Sequence, residues 1–479
     1  MQAPVGPTLQ EVRRALHAAA EWVASYLENV ERYPVLARVR PGDIAARLPQ
    51  SPPLQGEPLA AILRDVDQVL LPGITHWNHP SFFAYFGISG SGPGIIGELL
   101  AAALNVNAML WRTSPAATEL EQRVLAWVAD LLGLPTDWFG EIMDTASIST
   151  LHALAAAREA AGVDTREQGM AGRADLPPLA VYTSTQAHSS VDKAAIALGI
   201  GRRWTRHIET DAAFRMRADL LERAIAHDIA AGVKPIAVVA TVGTTSSTSI
   251  DPIPEIADIC ARYGVWLHVD AAYGGAAAVV PSHRSVLAGC ERADSFVTNP
   301  HKWLLTPLDC SLFYTRRPDD LKRAFSLVAE YLRTDDSEAL NLMDYGLSLG
   351  RRFRALKLWM VIRAYGQAGL SQMLEGHIRA AQWLAEQIDA APDWERLAPV
   401  PFSTVCFRHV PTGVADVDAH NAAIIDAVNR SGAAFLSHTT LNGRYAIRVA
   451  IGNQATTHAH VTQLWHLLRR TAAHLSPSS

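Results

Sequence analysis

The sequence predicts an α/β protein with a mostly parallel central sheet in a large domain, a smaller α/β C-terminal domain and a helical N-terminal arm. Three observations carry that prediction. Short apolar runs at residues 179–182, 235–242, 265–270 and 294–298 alternate with helical patterns at 190–198, 218–231 and 253–263, as parallel strands covered on both faces require. The first 80 or so residues lack that alternation and read as helices and proline-rich turns. Past residue 365 the pattern continues in a smaller lobe, within a chain of 479 residues that has room for two or three. The expected divisions are 1–88 for the arm, 89–365 for the large domain and 366–479 for the small one.

In the arm, Leu9, Val12, Leu16, Ala19, Val23, Tyr26 and Leu27 recur mostly at intervals of three and four, so residues 8–33 read as an amphipathic helix capped by Thr8. Prolines then interrupt the chain before a second helix near 58–70. Such an arm buries little apolar surface within itself, which predicts packing on the main body or on a second subunit. A glycine-rich stretch from about residue 90 opens into a helix over 95–104. Ser114 and Pro115 begin the next helix in the N-cap and N1 positions they favour, with Glu119 and Glu121 near the first turn. Its apolar stripe is Leu120, Val124, Trp127, Val128 and Leu131. A helix follows over 148–161. Another over 351–365 leads to the small lobe, with helices near 370–389, 416–430 and 457–474 and strands at 403–408 and 445–450.

Composition excludes several classes of function. A formal net charge of -5, an isoelectric point of about 6.4 and the lack of any long basic run leave no electrostatic footprint for nucleic acid. Residues 1–10 lack the basic and apolar regions of a secretory signal, and no apolar stretch reaches the roughly 18 residues of a membrane span. A cytoplasmic protein without a membrane partner is expected. Cys260, Cys290, Cys310 and Cys406 are too far apart for a disulfide framework, and the histidines show no metal-ligand spacing, so no metal is expected.

Ligands of open α/β sheets sit beyond the carboxyl ends of strands, so polar residues there come first. Leu267-His268-Val269-Asp270 ends in a carboxylate followed by the small Ala271-Ala272. The run ending at Val242 continues as Gly243-Thr244-Thr245, and Ser295-Phe296-Val297-Thr298 leads into Asn299-Pro300-His301-Lys302-Trp303. Lysines are scarce, and Lys302 stands between apolar segments where burial would lower its pKa toward a useful nucleophile. Pyridoxal phosphate needs an amine for its aldehyde and an anion to keep its ring nitrogen protonated, roles that Lys302 and Asp270 suit. By spacing alone, Lys302 reads equally well as a surface lysine and Asp270 as a helix cap. The stretch Asp144-Thr145-Ala146-Ser147-Ile148-Ser149-Thr150 offers amides and hydroxyls to a phosphate, although such clusters more often only cap a helix. Gln186-Ala187-His188-Ser189-Ser190 places a histidine where it could stack on a ring, move a proton or simply occupy a loop.

These blocks come in order with Thr75-His76-Trp77, Phe82-Phe83-Ala84-Tyr85-Phe86, Ser114-Pro115-Ala116 and Gly350-Arg351-Arg352-Phe353-Arg354. Over nearly its whole length the sequence thereby resembles the pyridoxal-phosphate-dependent group II decarboxylases of the aromatic L-amino-acid decarboxylase family. The resemblance implies the type I fold of aspartate aminotransferase-like enzymes, in an obligate homodimer with active sites at the interface. It implies Lys302 as the Schiff-base lysine, Asp270 as the partner of the ring nitrogen and His188 as an imidazole stacked on the ring. Ala146, Ser147, Ser295 and His301 would hold the phosphate, and Thr245, Ala272 and Asn299 would line the cofactor pocket. A catalytic loop is implied within 325–340, where the phenol of Tyr331 would protonate the carbon that carbon dioxide leaves. Relatives with Phe there tend toward aldehyde formation; a plain surface tyrosine is the other reading of Tyr331.

The match departs from the family around the substrate. Gly87-Ile88 replace a Pro and a hydroxyl residue, and Asn107 and Met109 stand where close relatives are apolar or aromatic. With Trp77, Tyr85, Phe86 and Gly350 these residues form the candidate substrate wall. Gly87 frees volume, Met109 is adaptable and Gly350 leaves room for a bulky ring. Apart from Arg112 no new arginine offers a partner to an acidic side chain. The expected reaction is decarboxylation of an aromatic L-amino acid (tryptophan, phenylalanine, tyrosine or dihydroxyphenylalanine) to the amine and carbon dioxide. The rivals are an aldehyde synthase or a decarboxylase of another amino acid on the same scaffold, and an inactive cofactor-binding homodimer. Intact Lys302, Asp270, His188 and Tyr331 argue against the last.

Overall fold

A computed structural model of the chain describes residues 6–327 and 339–476. Its larger sheet contains β1 (Phe139–Met143), β2 (Leu179–Ser184), β3 (Thr205–Ile208), β4 (Lys234–Thr241), β5 (Trp266–Asp270), β6 (Ser295–Thr298) and β7 (Ser311–Thr315), in the order β1-β7-β6-β5-β4-β2-β3. All run parallel except β7, which pairs antiparallel with both β1 and β6. The connections leaving β1, β2, β4, β5 and β6 therefore gather along one edge.

The continuous apolar runs of the central strands follow from burial on both faces. Ala237 and Val239 of β4 pack with Leu154 and Val191 on one side, while Val238 and Ala240 pack with Ile225 and Ile256 on the other. Helices Ala146–Ala160 and Ser190–Ala197 cover the first face; Ala218–Ala230 and Ile253–Tyr263 cover the second.

The smaller sheet is antiparallel, with β8 (Trp394–Arg396), β9 (Thr404–His409), β10 (Ser437–Leu441) and β11 (Arg444–Ala450) in the order β10-β11-β9-β8. Helices Val417–Ser431 and His458–Leu475 bury Ile424, Val428, Leu464 and Leu468 against its Val405, Phe407, Ile447 and Val449. Residues alternating with these, including Arg448, face the other way.

Several elements differ from expectation. The helices expected over 351–365 and near 370–389 are one element, Ala355–Ala390, broken only at Gly366, whose φ of 61° glycine adopts at little cost. Residues 351–354 stay outside it because Arg351 is committed to a buried ion-pair cluster, 2.8 Å from Glu121 and 3.2 Å from Glu141. Glu121 is thus a buried partner of Arg351 and does not serve the first turn of helix Pro115–Leu132. Ser114 does cap that helix, accepting from the Ala117 N–H at 3.3 Å. Thr8 caps Leu9–Asn29 with a reciprocal bond to Glu11, and the second arm helix, Leu59–Asp65, widens into a π turn over Val66–Leu70. Strands β1, β3, β7, β8 and β10 were not anticipated.

Helix Gly92–Leu104 crosses Ala355–Ala390 so closely that a Cβ on Gly97 would lie 2.5 Å from Lys357 Cα. Among the described residues no helix is long and apolar enough to cross a membrane. All four cysteines are buried and free.

Candidate active site

A cavity of about 460 Å³ lies at the carboxyl edge of the larger sheet, enclosed on its other sides by β10, β11 and the segment around Trp77 and Phe86. Asp270 ends β5 at its wall, beside Thr241 of β4 and Val297 of β6 in register. One carboxylate oxygen accepts the Ala272 N–H at 3.0 Å; the other has no hydrogen-bond partner among the described residues. Lys302 reaches the cavity from the one-turn helix Pro300–Trp303 that follows β6. It forms no ion pair among the described residues, and its Nζ lies 5.2 Å from the centre of the Phe86 ring. Burial pushes the ammonium pKa down, with Asp270 opposing and Arg448 adding to the fall.

His188 enters from the turn after β2. Its Nδ1 accepts the Ser190 N–H at 3.1 Å, which leaves the proton of the neutral ring on Nε2. Burial lowers its pKa, Asp270 opposes that shift, and Lys302 adds to it. His301 is arranged in the same way. Its Nδ1 accepts the Cys310 N–H at 2.9 Å, and burial pushes its pKa down to about 3, so Nε2–H is a neutral donor at the cavity wall.

Helix Ala146–Ala160 begins at the cavity with no side-chain cap, and the N–H groups of Ala146 and Ser147 find no acceptor among the described residues. Two buried oxygens of the wall, Thr241 Oγ1 and Asn299 Oδ1, are likewise unpartnered. Native interiors rarely leave such groups unsatisfied. A helix N-terminus and a neutral imidazole donor suit a phosphate; a carboxylate with a free oxygen and a buried amine suit a pyridine ring bearing an aldehyde. The residues present therefore fit pyridoxal phosphate.

Thr245, Ala272, Trp77, Tyr85, Phe86 and Ile88 also line the cavity. Phe86 stacks on Tyr273 at 4.0 Å. Other expected residues lie elsewhere. Gly87 sits behind the wall, against the backbone of Gly452 and Asn453. Ser295 opens β6 at the opposite end of the strand, where its Oγ accepts from Trp266 Nε1 and meets His268 Nδ1, each at 2.9 Å, so it is placed to hold His268 and does not line the cavity. Asn107, Met109 and Gly350 line no part of the cavity in the same chain. Asn107 accepts the Arg351 N–H at 2.9 Å, and the Met109 carbonyl accepts from Met343 at 3.1 Å. Tyr331 lies outside the described residues.

Arg448 of β11 was missed. It is 4% exposed, with its guanidinium 4.5 Å from the Phe86 ring centre, and it donates to the carbonyls of Ser246 and Thr245 at 2.9 and 3.1 Å and to that of Tyr85. No carboxylate neutralises it among the described residues, and of five N–H groups two remain. A charge inside the apolar run Ile447-Arg448-Val449 was the available signal.

Residues 41–410 match the description "pyridoxal-dependent decarboxylase conserved domain". The chain belongs to that family. This pyridoxal-dependent decarboxylase is 40% identical to phenylacetaldehyde synthase of Arabidopsis thaliana over 479 residues, spanning 97% of this chain and 96% of that protein. It is equally 40% identical to tyrosine decarboxylase 4 of Petroselinum crispum, over 96% of this chain and 93% of that one. The crystal structure of Oryza sativa TDC with PLP and tryptamine matches with a TM-score of 0.95 at 36% identity, over 99% of this chain and 100% of that one. The decarboxylase thus has the expected fold, falls in the aromatic amino-acid group II branch, and takes pyridoxal phosphate as cofactor.

Proposed function

We propose that this decarboxylase converts an aromatic L-amino acid to the amine and carbon dioxide, as a cytoplasmic homodimer. The observation that carries the reading is the meeting of Lys302, Asp270 and an Arg448 that no carboxylate neutralises among the described residues, in one aromatic-walled cavity. When bound, pyridoxal phosphate supplies an aldehyde for the amino group and a cationic ring that receives the electrons of the breaking carbon–carboxylate bond. Lys302, its pKa lowered by burial, would be the amine that holds the cofactor aldehyde. With the cofactor bound, the free oxygen of Asp270 would keep a proton on its ring nitrogen, and the neutral imidazole of His188 would flank the ring. The amides of Ala146 and Ser147 and the Nε2–H of His301 would hold the phosphate.

Arg448 would turn its spare N–H groups to the substrate carboxylate and so orient the substrate in the cavity. Trp77, Tyr85 and Phe86 take the aromatic side chain and keep water away. The phenol of Tyr331 then returns a proton to the α-carbon, which favours amine over aldehyde. Relatives of equal identity carry both names, so overall similarity does not separate the two products; Tyr331 supports the amine. The homodimer is supported by the absence of Asn107, Met109 and Gly350 from the cavity of their own chain, and by arm leucines left in water, Leu9 at 89% and Leu16 at 53% exposure. Four buried free thiols suit a reducing compartment.

The test incubates purified holoprotein with the twenty amino acids and dihydroxyphenylalanine, measuring amine, aldehyde, carbon dioxide, ammonia and peroxide. Amine and carbon dioxide in equal amounts from an aromatic substrate are expected. Aldehyde with ammonia and peroxide would replace the reading by the synthase, and turnover of aliphatic or acidic substrates alone would end the aromatic assignment.

A further inference from the structure

We propose that His377 is a positioning residue of this active site, acting through Trp303 on the turn that carries Lys302 and on the Phe86 wall. The proposal rests on the reading of Lys302 as the tethering amine. Trp303, the next residue, is fully buried, and its indole N–H donates to His377 Nδ1 at 3.1 Å. His377 is 3% exposed and lies beyond the Gly366 break, where the long helix passes from Leu374 and Ile378 in the large core to Ala380 and Ala381 in the small one. Burial pushes its pKa down to about 4, so the ring is neutral and Nδ1 keeps a lone pair for the indole.

The contact continues from Trp303 into the cavity. Trp303 and Tyr273 stack with centroids 4.7 Å apart and planes 5° from parallel, and Tyr273 stacks on Phe86 at 4.0 Å and 21°. Phe86 in turn lies against Lys302 Nζ and the Arg448 guanidinium. The His377 ring also meets the backbone of Asn453, whose side chain donates to the Trp77 carbonyl at 2.9 Å. One neutral ring thereby meets the Lys302 turn and the segment that follows β11, and reaches the aromatic wall through Trp303 and Tyr273. A buried indole deprived of its acceptor must shift, and the residues joined to it are the tethering lysine and the stack that ends at Phe86.

Four proteins reconstituted with pyridoxal phosphate decide the matter: His377→Leu, His377→Asn, Trp303→Phe and the Leu/Phe double variant. Asparagine keeps an acceptor near the Nδ1 position, while phenylalanine keeps a stacked ring and removes the N–H. His377→Leu is expected to release the cofactor about tenfold faster and to lose about tenfold in kcat with KM little changed. His377→Asn should recover most of both, and the double variant should be no worse than Trp303→Phe. In apoprotein labelled with 5-fluorotryptophan, the Trp303 fluorine signal, assigned by its loss in Trp303→Phe, should move most in His377→Leu.

Unchanged cofactor release and kcat in His377→Leu, or additive losses in the double variant, would overturn the proposal. If His377→Leu does not fold, the comparison moves to His377→Asn with and without Trp303→Phe: coupled losses uphold the proposal and additive ones overturn it. Cofactor release and the fluorine signal need no substrate. Failure of the decarboxylation reading would therefore show separately, as a wild-type protein that makes no amine.

Discussion

Asp270 is the only carboxylate on the cavity wall among the described residues, so nothing there can replace it. Asp270→Ala should lower kcat about 100- to 1000-fold with the fold intact, as loss of a preorganised electrostatic partner does; steady-state kinetics with near-wild-type circular dichroism checks this. Arg448→Lys keeps the charge but loses the planar fork, so KM should rise about tenfold while kcat falls less. Equal KM in that variant would remove Arg448 from carboxylate binding. These residues differ in how readable they were. Asp270, Lys302 and Thr245 follow apolar strands, and strand ends are where such a sheet places ligands. Ser295 opens its strand, so the same rule argues against it, and only resemblance had put it at the phosphate. Arg448 comes from the other sheet, and no local spacing in the sequence ties it to Lys302.

At the level of elements, Gly97 marks a close crossing of two helices. A side chain there must displace the backbone of the long helix at Lys357, so Gly97→Ala should destabilise the protein by about 1–3 kcal/mol, read from urea unfolding of the apoprotein. A substitution without effect would mean that the helices separate easily. Strands β2, β4, β5 and β6 were legible because they are covered on both faces and each carries a short apolar run. β7 is buried at every residue and was missed all the same; the other missed strands lack that mark. Thr205–Ile208 and Ser437–Leu441 are edge strands with polar residues toward solvent, and β1 carries Glu141 for the buried Arg351 cluster. Likewise Gly366 looked like the end of a helix, whereas its left-handed backbone only bends one.

For the molecule as a whole, buried histidines set the response to acid. His301 has its pKa pushed down to about 3 and His152, His268 and His377 to about 4, so all four stay neutral in the fold while the unfolded chain protonates them below about 6.5. Stability is then lost as pH falls from about 6.5 toward 4. Two buried acids act against this, since Glu141 is raised to about 7 and Asp251 to about 6 and each binds its proton sooner when folded. With four groups against two, apoprotein stability should fall by roughly 2–3 kcal/mol per pH unit near pH 5, and a flat unfolding profile between pH 7 and 5 would contradict the balance. Removal of residues 1–57 should leave a monomer in sedimentation and abolish turnover, if the arm joins two copies as proposed. A last consequence concerns the thiols. Cys260 and Cys310 are pushed up to about 12, Cys406 to about 11 and Cys290 upward as well, all by burial. Native protein thus presents almost no thiolate to maleimides, and a cysteine introduced on its surface would carry a fluorophore with almost no background labelling.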